Sequence, residues 1–136
     1  MRILTAAALL LAALSSAACG LSVAYGDLFV ITRTGPGGKL SLLVNNGGSA
    51  VCNHGKSRMI SSSRLIAARD LADNLGTDAQ QNLTIRPAAG SVYSYTIRTG
   101  QGTIRFPDTA GSAHHELAQA QLFFIQTLQS VCGLQP

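Results

Sequence analysis

The 136 residues carry 46% apolar side chains, no tryptophan and a formal net charge of +4 at pH 7. That length leaves room for one domain with a modest core and none for a second. The Lys and Arg residues stand singly and the Asp and Glu residues are scattered, so no basic block points to a nucleic-acid partner and no carboxylate spacing points to acid–base catalysis.

Behind Arg2, residues 3–14 are apolar except for Thr5. The run is too short for a membrane span of about twenty residues and has the length of a signal h-region, so residues 1–18 are expected to be a signal peptide. Its removal leaves nine basic residues against six acidic ones, a mature charge of +3 (9 − 6). Small Ser16 and Ala18 suit cleavage before Cys19. The mature chain would then hold Cys19, Cys52 and Cys132, an odd number of thiols in an oxidising compartment.

Ser15-Ser16-Ala17-Ala18-Cys19-Gly20 resembles the lipobox of bacterial lipoproteins. The resemblance implies a diacylglyceryl thioether and an acylated amine on Cys19, anchoring the domain to the outer face of the cell membrane, because two or more acyl chains hold stably where one does not. Cys52 and Cys132 are then left to pair. Their loop of about eighty residues is worth roughly 4–5 kcal/mol in the chain-entropy description. A freely secreted chain without lipid on Cys19, and two buried free thiols at Cys52 and Cys132, are the alternatives.

On this reading residues 19–26 are the anchor cysteine and a tether, and residues 27–133 form a single α+β domain. Leu28, Phe29, Val30, Ile31, Thr32 and Thr34 are strand formers and predict a first strand. Gly35-Pro36-Gly37-Gly38 turns it into a second, where Leu40, Leu42 and Val44 alternate with Ser41, Leu43 and Asn45. Asn45-Asn46-Gly47-Gly48 accepts positive φ and predicts a tight turn into a third strand over residues 49–52.

Ser61-Ser62-Ser63 supplies helix caps, and Leu65, Ala68, Leu71, Ala72 and Leu75 recur at helical spacing up to a stop at Gly76. A polar connector follows over residues 77–90. Tyr93, Tyr95 and Ile97 then alternate with Ser94, Thr96 and Arg98, and a turn at residues 99–102 leads into Ile104 and Phe106 facing inward with Arg105 outward. A last helix is expected from about Ser112 to Val131, with Leu117, Phe124, Leu128 and Val131 in one stripe that Leu122 and Ile125 broaden.

Offset by 65 residues, Thr32-Arg33-Thr34-Gly35 falls on Ile97-Arg98-Thr99-Gly100. The element order repeats as well, predicting two β-hairpin-plus-helix units, an antiparallel sheet of about five strands and two helices on one face. The second half, from Tyr93-Ser94-Tyr95-Thr96-Ile97-Arg98 through Thr103-Ile104-Arg105-Phe106-Pro107-Asp108 and the last helix, resembles emfourin-like inhibitors of thermolysin-type metalloproteases. That resemblance implies a protease-inhibitor role. The whole chain also resembles small secreted or lipid-anchored proteins of actinobacterial type.

Chemistry-bearing residues are few. His114-His115-Glu116 places adjacent histidines about 100° apart on a helix, so they cannot chelate one ion as an i, i+4 pair would. A metal-dependent hydrolase would need His54 or Asp108 to join His114 and His115 in space. Ser61-Ser62-Ser63 lacks the glycine-flanked elbow of a nucleophile, and Gly35-Pro36-Gly37-Gly38 lacks the Lys-Ser or Lys-Thr of a phosphate loop. No cofactor and no catalytic residue is expected.

The remaining candidate is the sheet face away from the helices. If Arg33 and Arg98 are equivalent in the repeat, both point outward, and a period of two carries Phe29 and Ile31 with them, with Leu43, Thr96 and Arg105 extending the face. Apolar residues rimmed by arginines would make a binding patch for an envelope or extracellular protein. The alternative register puts Leu28 and Val30 outward instead. The expected function is therefore a lipid-anchored, disulfide-linked, non-catalytic binding domain, with the protease inhibitor and the metal-dependent hydrolase as alternatives.

Overall fold

The computed structural model describes residues 23–24 and 26–136. Residues 1–22, with the expected signal peptide and Cys19, lie outside the described residues. Chain order is β1 (Asp27–Gly35), β2 (Gly38–Asn45), β3 (Ser49–Cys52), β4 (Arg58–Met59), α1 (Ser62–Asn74), α2 (Gly76–Gln80), β5 (Ser94–Arg98), β6 (Thr103–Pro107), a 3-10 turn (Asp108–Ser112) and α3 (His115–Cys132).

The strands form one antiparallel sheet in the order β4-β3-β2-β1-β5-β6. The α+β class and the antiparallel sheet agree with expectation, and β4 brings the strand number to six. Two residues long and exposed, β4 has no buried alternation to announce it. The two hairpins meet at β1, which pairs with β2 on one edge and β5 on the other.

Both long helices cover the same sheet face. Phe29 and Ile31 of β1, Leu42 and Val44 of β2, Ile97 of β5 and Ile104 of β6 are fully buried with Leu117, Phe124 and Leu128 of α3. Side chains of this size each stabilise the fold by about 1.5–3 kcal/mol when buried. Aromatic edges lock the layers: Phe29 meets Phe123 at 5.7 Å and Tyr95 meets Phe124 at 5.9 Å, both near perpendicular, the geometry the ring quadrupole favours.

Helix α1 begins where the serine run predicts, with Ser61 Oγ accepting the Arg64 N–H at 3.2 Å. Gly76 does not stop the helical path. Leu75 keeps a right-handed conformation, and Gly76 opens the short α2 instead. The β5–β6 turn closes against α2 at Gly102, where a Cβ would collide with the Ala79 carbonyl oxygen. Part of the expected polar connector also joins the sheet margin: Arg105 N–H donates to Leu83 O at 2.9 Å and Ile85 N–H to Arg105 O at 2.8 Å, which covers the edge of β6.

The last helix starts at His115, a few residues later than expected, because Asp108–Ser112 winds as a 3-10 turn. It ends at Gly133 in the left-handed region, with the Gly133 and Leu134 N–H groups both reaching back to Leu128 O. A disulfide ties its last residue, Cys132, to Cys52 in β3, with the Cα atoms 6.3 Å apart.

The expected outward face needs correction. Phe29 and Ile31 are fully buried beneath the helices, and Arg33 shares their side of β1 at 8% exposure. Register explains the error: Arg33 pairs with Tyr95, whereas Arg98 pairs with Val30. The offset of 65 is odd, so it maps an inward residue of one strand onto an outward residue of the other. Of the proposed patch Leu43, Thr96, Arg98 and Arg105 lie on the face turned away from the helices, beside Thr103. The alternative register, with Val30 on that face, is the observed one, although Val30 itself is fully buried.

Candidate functional site

The histidines do not assemble. His54 sits in the turn after β3 with φ 60°, while His114 precedes α3 with Nδ1 3.4 Å from Glu116 Oε1. Asp108 is committed elsewhere, accepting from Ser91 Oγ at 3.0 Å and from the Val92 and Tyr93 N–H groups at 3.2 Å. Among the described residues no group of three or more His, Cys, Asp or Glu side chains is placed to hold a metal ion. The hydrolase constellation of His54, His114 and His115 therefore has no geometric counterpart there.

Asp78 of α2 joins the His114–Glu116 pair, a neighbour that the sequence separation hides. Burial first, then the Glu116 charge and a hydrogen bond with Glu116, raise the Asp78 carboxyl above its usual range, while His114 opposes the shift. The two hollows described below do not touch this cluster.

Arg33 has a structural task. Its guanidinium lies over the Tyr93 ring at 4.3 Å, and a Cβ on Gly35 would collide with that ring. The bare backbone at Gly35 thus admits Tyr93, and Tyr93 seats Arg33.

The larger hollow opens between α1 and α3. From α1 come Arg64, Ala67, Asp70, Leu71 and Asn74, spaced by three and four residues on one helical face; from α3 come Gln119, Leu122, Phe123 and Gln126 at the same spacing. It encloses about 510 Å³. A second hollow of about 420 Å³ lies between the start of α1, β4 and the end of α3, and shares Ser61 and Arg64 with the first. Ser61 and Arg64 from the start of α1 stand with Ser130 and Val131 from the end of α3, so the helices run in opposite senses along one trough.

The trough mixes apolar floor with amide walls. Phe123 is 7% exposed and carries the floor down to Phe29 in the core. Leu122, expected to widen the buried stripe, is instead 57% exposed on the rim. Arg64 spans the junction of the hollows: Nη1 donates to Thr127 Oγ1 at 3.2 Å, and the guanidinium carbon lies 5.8 Å from the Phe123 ring centre. Thr127 is fully buried. Among the described residues no carboxylate lies within 4.0 Å of Arg64 or Arg58.

This surface was not legible in the sequence because Leu122 reads there as part of the buried stripe of α3, and Phe123 carries no separate signal. An apolar stripe wider than one sheet contact can fill was the available signal, since the outermost member must then face something else. Comparison with protein-family models, curated proteins and solved structures finds no match to this chain. Among the described residues no helix is long and apolar enough to cross a membrane.

Proposed function

We propose that the protein is a non-catalytic binding domain of a bacterial cell envelope, tethered through lipidated Cys19, whose α1–α3 trough takes an extended peptide segment of an envelope or extracellular protein. The trough carries this reading. Asn74, Gln119 and Gln126 offer amide donors and acceptors of the kind a peptide backbone needs, flanking an apolar strip of Leu71, Leu122 and Phe123. Its volume lies within the range of ligand-binding clefts, roughly 300–1,000 Å³. The anchor is supported by arithmetic: Cys52 and Cys132 are bonded to each other, so Cys19 is the thiol left over.

The test is an NMR titration of the ¹⁵N-labelled mature chain, carrying Cys19→Ser, with pools of unstructured pentapeptides. Shifts gathered on Leu71, Leu122 and Phe123 are expected. Shifts confined to the open sheet face around Arg98 and Arg105 would reject the trough. Intact mass spectrometry of membrane-extracted wild-type protein tests the anchor separately, because an unmodified mature mass excludes it. Stoichiometric slowing of a thermolysin-type protease, blocked by Leu122→Asp, would identify the partner class that the emfourin resemblance implies.

A further inference from the structure

Resting on the trough as the peptide site, we infer that its β4 end is a carboxylate-binding site, built by Arg58 and Arg64, that fixes the direction in which a bound peptide lies. Both arginines line the smaller hollow, and neither has a carboxylate within 4.0 Å among the described residues. Arg64 is held by Thr127 and by the Phe123 ring, so little side-chain freedom remains to be lost when its fork meets a planar anion. The nearby hydroxyls are already engaged. Ser61 Oγ accepts the Arg64 N–H, and Ser130 Oγ donates to the Gln126 carbonyl at 2.7 Å. The guanidinium groups are the cationic donors an incoming anion would meet.

The opposite end differs in charge. Asp70, the carboxylate on the trough wall, stands six residues beyond Arg64 on α1, about 9 Å at the helical rise. A peptide with its carboxylate on Arg58 and Arg64 meets attraction at that end, whereas the reversed peptide brings like charge to Asp70. Leu71 lies about 10 Å from Arg64 along the helix, a distance covered by about three residues of extended chain. The preferred ligand thus carries an apolar side chain about three residues before its carboxylate. The amide walls favour a peptide over a lipid headgroup, whose acyl chains would leave Asn74, Gln119 and Gln126 without partners.

A free C-terminus and a Glu side chain share this chemistry, and fluorescence polarisation separates them. The probes are labelled pentapeptide pools with leucine at the second position, made as the free acid, as the amide, and as the amide with a final glutamate. They are titrated with the full mature chain carrying Cys19→Ser. At least one carboxylate pool is expected to bind about ten- to a hundredfold more tightly than the plain amide. Arg58→Gln, at an exposed position, and Arg64→Met should each reduce that preference at least severalfold, with Arg64→Lys restoring part of it. Which carboxylate pool gains identifies the source. Equal affinity of acid and amide, with shifts still on Leu71 and Leu122, overturns the carboxylate site and leaves the trough. No shift in the trough with any pool overturns both. Arginine-dependent binding of phosphatidylglycerol vesicles without any preference among the pools overturns the peptide assignment in favour of a headgroup.

Discussion

Arg64 of α1 and Thr127 of α3 join the two helices by a single side-chain hydrogen bond, Nη1 to Oγ1 at 3.2 Å, whose acceptor is fully buried. Around it the helices hold apart a trough. Thr127→Val keeps the shape and removes the acceptor, while the guanidinium retains access to water from the trough. The expected loss of stability is only about 1 kcal/mol, measured by urea unfolding. Peptide affinity should fall further than stability does, because Arg64 is no longer held in place.

Leu122 is more than half exposed on the trough rim. Leu122→Asp should leave the unfolding free energy within about 0.5 kcal/mol of wild type, as for other surface changes. It should abolish pentapeptide shifts at Leu71 and Phe123. Retained binding would mean that the rim is not part of the contact.

The disulfide between Cys52 and Cys132 spans a sequence separation of 80 and holds the end of α3 against β3. Cys132→Ser is expected to cost about 3–5 kcal/mol, seen as a lowered thermal midpoint that reductant no longer changes. The smaller hollow should loosen with it, since Val131 and Ser130 form one of its walls. Hydrogen exchange in the last turn of α3 would record that loosening.

Two aspartates should respond to pH with opposite signs. Burial raises the Asp108 carboxyl, but hydrogen bonds from the Tyr93 N–H, Ser91 Oγ and the Val92 N–H outweigh it and hold the group below its usual range. Its contribution is therefore present above the ordinary carboxylate range and is lost as pH falls through the depressed folded value. Asp78 is raised, by burial and then by Glu116, so its contribution is complete below the ordinary range and disappears as pH rises through the folded value. At pH 7, Asp108→Asn should destabilise and Asp78→Asn should stabilise, in unfolding curves measured from pH 3 to 8.

Alternation of apolar residues made β2, β5 and β6 legible, and the Asn45-Asn46-Gly47-Gly48 turn located β3. Side-chain facing in β1 was not legible. Phe29, Val30 and Ile31 are consecutive and all fully buried, so the strand shows no alternation to choose a face, and the short repeat supplied a misleading one. The trough was hidden for another reason. Its two stripes belong to helices far apart in sequence, and their juxtaposition depends on how both pack onto one sheet. Asp78 and Glu116 meet for the same reason. The strand β4 and the continuation of the helical path past Gly76 depend on neighbours as well: β4 on pairing with Ser49 and Ala50, and α2 on the close approach of Gly102.

The position of β1 has a mechanical consequence. It is the first strand of the domain in sequence and is hydrogen-bonded along both edges, to β2 and to β5. Tension applied from the N-terminal side of Asp27 would pull along the strand axis and load both ladders in shear, so their bonds would have to fail together and not open one by one. A domain hung from its first strand at the middle of its sheet resists extraction better than one hung from an edge. Single-molecule pulling through the N-terminus should give a higher rupture force than pulling at Met59 on the β4 edge.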